Sequence, residues 1–108
     1  MPIVPKIKEL GKAKVKLTKK MDGVFKIRPY LSEEYLKQML FDFEKLVFES
    51  KQDGTYLLIY NISGEYHLII VIAVNDEIRI VTAYKTSKKI QKFIDKYGGY
   101  YYVKKIPY

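Results

Sequence analysis

The run YLLIYNISGEYHLIIVIAVNDEIRIVTAY, residues 56–84, is rich in β-branched and aromatic side chains. Ser63-Gly64 and Asn75-Asp76 interrupt it, and such pairs are typical of tight hairpin turns. The pattern therefore predicts three successive antiparallel strands, over residues 56–62, 65–74 and 78–84. The middle run is apolar at odd and even positions alike, so we expect it to be a central strand covered on both faces.

The residues before this region predict one more strand and a long helix. Ala13 to Thr18 alternates lysine with apolar residues, which is the period of a half-exposed strand, and Asp22-Gly23 indicates a turn. Ser32 is a good helix N-cap, and apolar side chains recur every three or four residues after it. This spacing predicts a helix from Ser32 to about Glu49.

A second helix and a last strand are expected after the three strands. Thr86 or Ser87 can cap a helix that Gly98-Gly99 would end, and residues 100–106 then read as a strand. The expected order is β-α-β-β-β-α-β, an α+β fold in which helices pack on an antiparallel meander sheet. Residues 1–12 are interpreted as an N-terminal arm and residues 13–108 as a single domain.

The charge is distributed in three blocks. Residues 1–30 carry nine basic and two acidic side chains, residues 31–77 three and nine, and residues 78–108 eight and one, which gives a net charge of +8. Clustered lysines displace counterions from a phosphate backbone, so nucleic acid is the expected partner. A lysine-rich surface that serves only solubility, or adaptation to a hot host, is the alternative.

Composition also argues against several classes of protein. The chain has no cysteine and one histidine, so we expect no disulfide, no metal site and no cofactor. Its longest apolar run, residues 68–74, is shorter than the roughly 20 residues that span a bilayer, and a cytoplasmic protein with no membrane partner is expected. Dinucleotide, P-loop and Ser-His-Asp motifs are also lacking.

The segment EIRIVTAYKTS, residues 77–87, is the strongest candidate for a functional site. Strand alternation would place Arg79, Val81, Ala83 and Lys85 on one face. A guanidinium, an ammonium, a phenol and hydroxyl groups would then lie together near the start of the following helix, whose backbone N–H groups can bind an anion. Such groups can hold a phosphodiester and stabilise charge during its cleavage.

From about Val15 to Tyr97 the chain resembles the small barnase/RelE-like superfamily, which includes toxin ribonucleases and toxin-like domains of mobile elements. The resemblance is carried by Arg28, by Leu31-Ser32-Glu33-Glu34-Tyr35 and by the run from Ile78 to Lys88. It implies a metal-independent endoribonuclease of toxin–antitoxin type that acts on RNA rather than DNA, with an antitoxin or a second copy as a possible protein partner. Where that family tends to carry a histidine after its first strand, this chain has Lys19-Lys20-Met21.

The resemblance and the basic residues together define two candidate sets. The catalytic candidates are Arg79, Tyr84, Lys85, Thr86, Ser87, Lys20 and Arg28. The nucleic-acid-binding candidates are Lys14, Lys16, Lys19, Lys88, Lys89, Lys92, Lys104 and Lys105. The missing histidine keeps a second hypothesis open, namely a non-catalytic nucleic-acid-binding or protein-interaction protein of a virus, plasmid or other mobile element with the same fold.

Four further features have competing interpretations. His67 is interpreted as a structural residue of the central strand, because no acid–base partner is evident in the sequence. Tyr100, Tyr101 and Tyr102 could stack on bases or serve as ordinary strand residues. Phe41 and Phe48, one heptad apart, suggest either an exposed partner surface or a wider helix core. The acidic residues Asp42, Glu44 and Glu49 are interpreted as a solvated face.

Overall fold

The computed structural model describes residues 3–52, 54–86 and 100–101 of the chain. The α+β class is confirmed. The helices are α1 (Val4–Leu10), α2 (Lys20–Ile27) and α3 (Glu33–Leu40), with a 3-10 turn over Lys12–Lys14. The strands are β1 (Val15–Leu17), β2 (Leu46–Gln52), β3 (Thr55–Ile62), β4 (Glu65–Val74), β5 (Glu77–Thr86) and the two-residue β6 (Tyr100–Tyr101).

The strands form one mixed sheet in the order β1-β5-β4-β3-β2-β6. The expected hairpins β3–β4 and β4–β5 are confirmed, and β4 is an internal strand. A purely antiparallel meander is wrong, because β1 pairs parallel with β5, with Val15 opposite Ile78 and Leu17 opposite Ile80. Among the described residues, no strand pairs with the second half of β5, from Val81 to Thr86, on the side where the short β1 lies.

Apolar side chains cover both faces of the central strands. On one face Ile69 and Val71 of β4 join a core that also contains Ile7 of α1, Met21 of α2 and Leu36 of α3. On the other face a smaller cluster contains buried residues of β2, β3 and β4, namely Val47, Phe48, Leu57, Ile59 and Leu68. The run of apolar residues at both odd and even positions of β4 therefore has the predicted meaning.

The helix expected from Ser32 to Glu49 is half as long as predicted. Ser32 does cap it, with Oγ accepting the Tyr35 N–H at 3.1 Å, but α3 ends at Leu40. Leu46, Val47 and Phe48 are all fully or almost fully buried and belong to β2. Three consecutive buried side chains do not fit a helix with one apolar stripe, but they fit a strand that is covered on both faces.

The N-terminal residues also differ from the expected arm. Val4–Leu10 is a helix with Pro5 in its first turn, and Ile3, Val4 and Ile7 are buried in the main core. The Ile3 N–H donates a hydrogen bond of 2.7 Å to Oε2 of Glu49 in β2. Glu49 is 1% exposed, so its interpretation as part of a solvated face is wrong.

Two other local predictions are wrong, and two more fall wholly or mostly outside the described residues. Asp22-Gly23 is not a turn, because both residues lie within α2. Thr86 belongs to β5 rather than to a helix cap. The expected second helix up to Tyr97 lies outside the described residues, and of the last strand only Tyr100–Tyr101 is described, antiparallel to β2.

Candidate nucleic-acid interface

A β-bulge in β5 decides which candidate side chains can meet. Ile70 of β4 is opposite Thr82, whereas the next residue, Val71, is opposite Ile80, so Val81 is the extra residue. Arg79, opposite Ile72, and Lys85, opposite His67, therefore project from opposite faces of the sheet. The expectation that they share one face is wrong, because the bulge shifts the alternation by one position.

Arg79 also lies far from Lys85 along β5. Five residues, one of them the bulge residue Val81, lie between Arg79 and Lys85, and their partners Ile72 and His67 are five strand steps, about 17 Å, apart. The Arg79 side chain is 42% exposed, and its Nε lies 3.2 Å from Oε2 of Glu77 on the same strand. Lys16 of β1 is its register neighbour. Arg79 thus lies on the surface beside Lys16, and it does not meet Lys85.

The loop that follows α2 lies against the far end of β5. Ile27 is the last residue of α2, and Arg28 N–H still donates to the Val24 carbonyl. Pro29 disfavours a helical conformation of the residue before it, so the chain turns here. Leu31 is only 6% exposed, and its burial holds the loop over residues 28–30 close to the sheet.

Two cation–aromatic pairs form where this loop meets β5. The Arg28 guanidinium carbon lies 5.7 Å from the centre of the Tyr84 ring. The Lys85 Nζ lies 4.5 Å from the centre of the Tyr30 ring, and the backbone N–H of Lys85 donates to the Tyr30 hydroxyl at 3.2 Å. Tyr30 is 45% exposed and Lys85 is exposed, whereas Arg28 and Tyr84 are half-buried. We call these four residues the β5-end cluster.

Behind Lys85 lies a buried polar contact between β4 and α3. His67 is 3% exposed, and its Nδ1 lies 3.4 Å from the Tyr35 hydroxyl. Burial, and then the nearby charge of Lys85, lower the pKa of His67, so its imidazole is neutral at pH 7. Burial and the carboxylate of Glu65 raise the pKa of Tyr35, which keeps its phenol protonated. His67 has the buried, partnered position that the structural interpretation expects.

The segment that precedes this loop is strongly basic. Between positions 12 and 28 there are seven basic residues and one acidic residue, Asp22, a net charge of +6. The basic ones are Lys12, Lys14, Lys16, Lys19, Lys20, Lys26 and Arg28. The six lysines are exposed, and none of the seven forms an ion pair with a described carboxylate.

Lys19 and Lys20 are placed where helix stability does not favour them. Lys19 is the N-cap of α2 and Lys20 its first residue, and the positive end of a helix dipole disfavours cations there. Their charges therefore add to the positive potential around β1 and α2. Thr86 is the last residue of β5 and half-buried. Ser87, Lys88, Lys89, Lys92, Lys104 and Lys105 lie outside the described residues.

The partner surface suggested for Phe41 and Phe48 is wrong. Phe48 is fully buried in the smaller apolar cluster. Phe41 is half-buried, packs edge-on against Phe43 with ring centres 6.0 Å apart, and has the Lys12 Nζ 5.9 Å from its ring centre. The heptad spacing has no meaning here, because the two residues belong to a turn and a strand.

Sequence reasoning missed Tyr30, a member of the β5-end cluster, and Tyr35, the neighbour of His67. Tyr30 directly follows Arg28-Pro29, and its distance of 55 residues from Lys85 hides the contact. Tyr35 was noted only as part of a helix start. The signal for Tyr30 that the sequence does contain is its position two residues after a basic residue, Arg28.

The described residues hold neither a metal-binding cluster of His, Cys, Asp and Glu nor a helix long and apolar enough to cross a membrane. Comparison with known protein families, with curated proteins and with solved structures finds no match for this chain.

Proposed function

We propose that this protein binds single-stranded nucleic acid through the β5-end cluster and the basic surface beside it. The observation that carries the proposal is the pair of cation–aromatic contacts, Arg28–Tyr84 and Lys85–Tyr30, held on neighbouring residues of one strand end. The resemblance to toxin ribonucleases favours RNA as the nucleic acid.

The chemistry of the cluster fits a single strand. Single-strand binders combine cations that follow the phosphates with aromatic rings on which bases stack. Tyr84 and Lys85 project to opposite sides of β5, and the loop over residues 28–30 supplies the partner of each. The cluster therefore offers two cations and two rings around one edge of the sheet. The lysines of β1 and α2 extend the positive potential along that edge.

The geometry favours a protein that binds the nucleic acid without cleaving it. Metal-independent cleavage requires a proton acceptor and donor within reach of the same phosphodiester. The candidate Arg79 lies about 17 Å of strand away from Lys85 and next to Glu77, and His67, interpreted as structural, is 3% exposed. Lys85 and Arg28 can hold a phosphate, but the imidazole behind them lies beneath the surface.

The test is a binding and integrity assay on one RNA. A fluorescently labelled 12-nucleotide single strand is titrated with protein at 50 mM salt, anisotropy is recorded, and the strand is then run on a denaturing gel. We expect saturable binding and an intact strand. Tyr30→Leu should weaken binding by about fivefold or more, since stacking on one ring contributes about 1–3 kcal/mol per base.

Lys85→Gln should also weaken binding severalfold. Lys37→Gln is the matched control, because it removes the same charge from α3, where Lys37 pairs with Glu33 at 3.3 Å. Absence of saturable binding, or equal losses in Lys85→Gln and Lys37→Gln, would contradict the proposal. Fragments that disappear in the Arg79→Ala variant would instead support the endoribonuclease.

A further inference from the structure

His67 is enclosed by groups from four elements at the end of the sheet where the β5-end cluster lies. In the sheet register it stands between Tyr60 of β3 and Lys85 of β5, and the Tyr35 hydroxyl of α3 is 3.4 Å from its Nδ1. Glu65, two residues earlier on β4, is its nearest acidic neighbour in the chain. The Tyr60 hydroxyl donates to the Leu40 carbonyl at 2.8 Å. The cationic group among these neighbours is Lys85.

The side chains of His67 and Lys85 are directly opposed on adjacent antiparallel strands, where Cβ atoms are about 4.5–5.5 Å apart. A protonated imidazole would thus face an ammonium group, and this repulsion adds to the effect of burial in disfavouring the charged form of His67. A phosphate bound to Lys85 would cancel much of that repulsion. The Tyr35 hydroxyl oxygen could then accept a hydrogen bond from a protonated Nδ1.

We propose that phosphate binding at Lys85 is coupled to proton uptake by His67, so that the nucleic acid binds more tightly as the pH falls. This inference rests on the proposed function, because the phosphate in question belongs to the bound strand. His67 does not touch the strand. It acts through Lys85, and the coupling passes between two opposed side chains of one strand pair.

The direction and size of the effect follow from proton linkage. The imidazole has a lower pKa in the free protein than in the complex, so protons are taken up between these two values, and affinity rises as the pH falls through that interval. Above the pKa of the complex the affinity is independent of His67. A difference of about one between the two pKa values corresponds to a tenfold gain in affinity at low pH.

His67 is the one histidine in the chain, which makes its titration unambiguous. The experiment follows the imidazole resonances by NMR from pH 8.0 to 5.5, in the free protein and with a saturating 12-nucleotide RNA. The RNA carries no terminal phosphate, because a phosphomonoester titrates in the same range. We expect a higher pKa for His67 in the complex, and an RNA affinity that rises about three- to tenfold across the range.

Two variants separate His67 from the other groups that titrate near neutral pH. His67→Asn places an amide where Nδ1 stands, and it should keep the affinity at pH 8.0 while losing the rise at low pH; the chain's α-amino group is the same in both proteins. Lys85→Gln should raise the pKa of His67 in the free protein toward its ordinary value. Should His67→Asn not fold, the NMR titration of the natural sequence still decides.

The possible results bear differently on the two proposals. An RNA that binds equally well at pH 8.0 and 5.5, with the same His67 pKa in the free and bound protein, overturns the coupling and leaves the proposed function intact. An RNA that binds at neither pH overturns both. A rise in affinity that persists in His67→Asn assigns the effect to another group and also overturns the coupling.

Discussion

The salt dependence of RNA binding offers a quantitative test of the β5-end cluster. For single strands the logarithm of the affinity falls with the logarithm of salt concentration by about 0.7 for each phosphate that a cation neutralises. Arg28 and Lys85 are the two cations of the cluster. If each contacts one phosphate, the double variant Arg28→Gln/Lys85→Gln should have a slope shallower by about 1.4. Between 50 and 200 mM salt, the natural sequence should then lose about sevenfold more affinity than the variant.

The matched control removes the same charge from two lysines that are not members of the β5-end cluster. Lys37 and Lys45 lie 3.3 Å and 3.4 Å from the carboxylates of Glu33 and Asp42. The variant Lys37→Gln/Lys45→Gln has the same net charge as the first double variant, and its slope should stay close to that of the natural sequence. Anisotropy titrations at four salt concentrations measure all three slopes. Equal reductions in both double variants would mean that net charge alone governs binding, and the reasoning from the cluster would be refuted.

Four stability predictions follow from the fold and can be measured by urea denaturation. Phe48→Ala should lower the free energy of unfolding by about 3–5 kcal/mol, because the ring is fully buried; a loss below about 1 kcal/mol would indicate an exposed side chain. Ser32→Ala should cost about 1 kcal/mol through loss of the α3 cap, and Ser32→Asp, which can still cap, should cost less. Gly64→Ala should destabilise by about 1–2 kcal/mol because its φ is 85°, whereas Gly23→Ala within α2 should stabilise by about 0.5–1 kcal/mol; destabilisation by Gly23→Ala would favour the turn that the sequence suggested.

The hairpins of β3, β4 and β5 could be predicted because their determinants are local. Ser63 and Gly64, and likewise Asn75 and Asp76, adopt positive φ angles in tight turns, and the residues on either side pair directly. The predicted limits of Glu65–Val74 are those of β4. The helix start at Ser32 was equally local, since its side chain caps a backbone N–H three residues away.

The predictions are wrong where contacts between residues distant in the sequence overrule the local preference for a helix, turn or strand. Leu46, Val47 and Phe48 continue the helical spacing of α3, yet pairing with β3 and burial on both faces make them a strand. Val15 pairs in parallel with Ile78, which is distant in the sequence. Parallel strands are not joined by a tight turn, so no turn residues reveal this pairing. The docking of Ile3 beside the buried carboxylate of Glu49 likewise depends on a hydrogen bond between residues 46 positions apart.

The bulge at Val81 explains both why Arg79 and Lys85 do not share a face and how the proposed site is formed. With regular alternation Lys85 would project from the same face as Arg79, as the sequence suggests, and Tyr84 would project toward the main core. The extra residue exchanges these positions, so that Tyr84 meets Arg28 on one side of β5 while Lys85 meets Tyr30 and stands opposite His67 on the other. Strand alternation fixes side-chain direction only as long as the register holds, and a bulge leaves no distinct residue signal in IRIVTAY. The β5-end cluster therefore depends on one inserted residue in a strand and on the proline that turns the chain after α2.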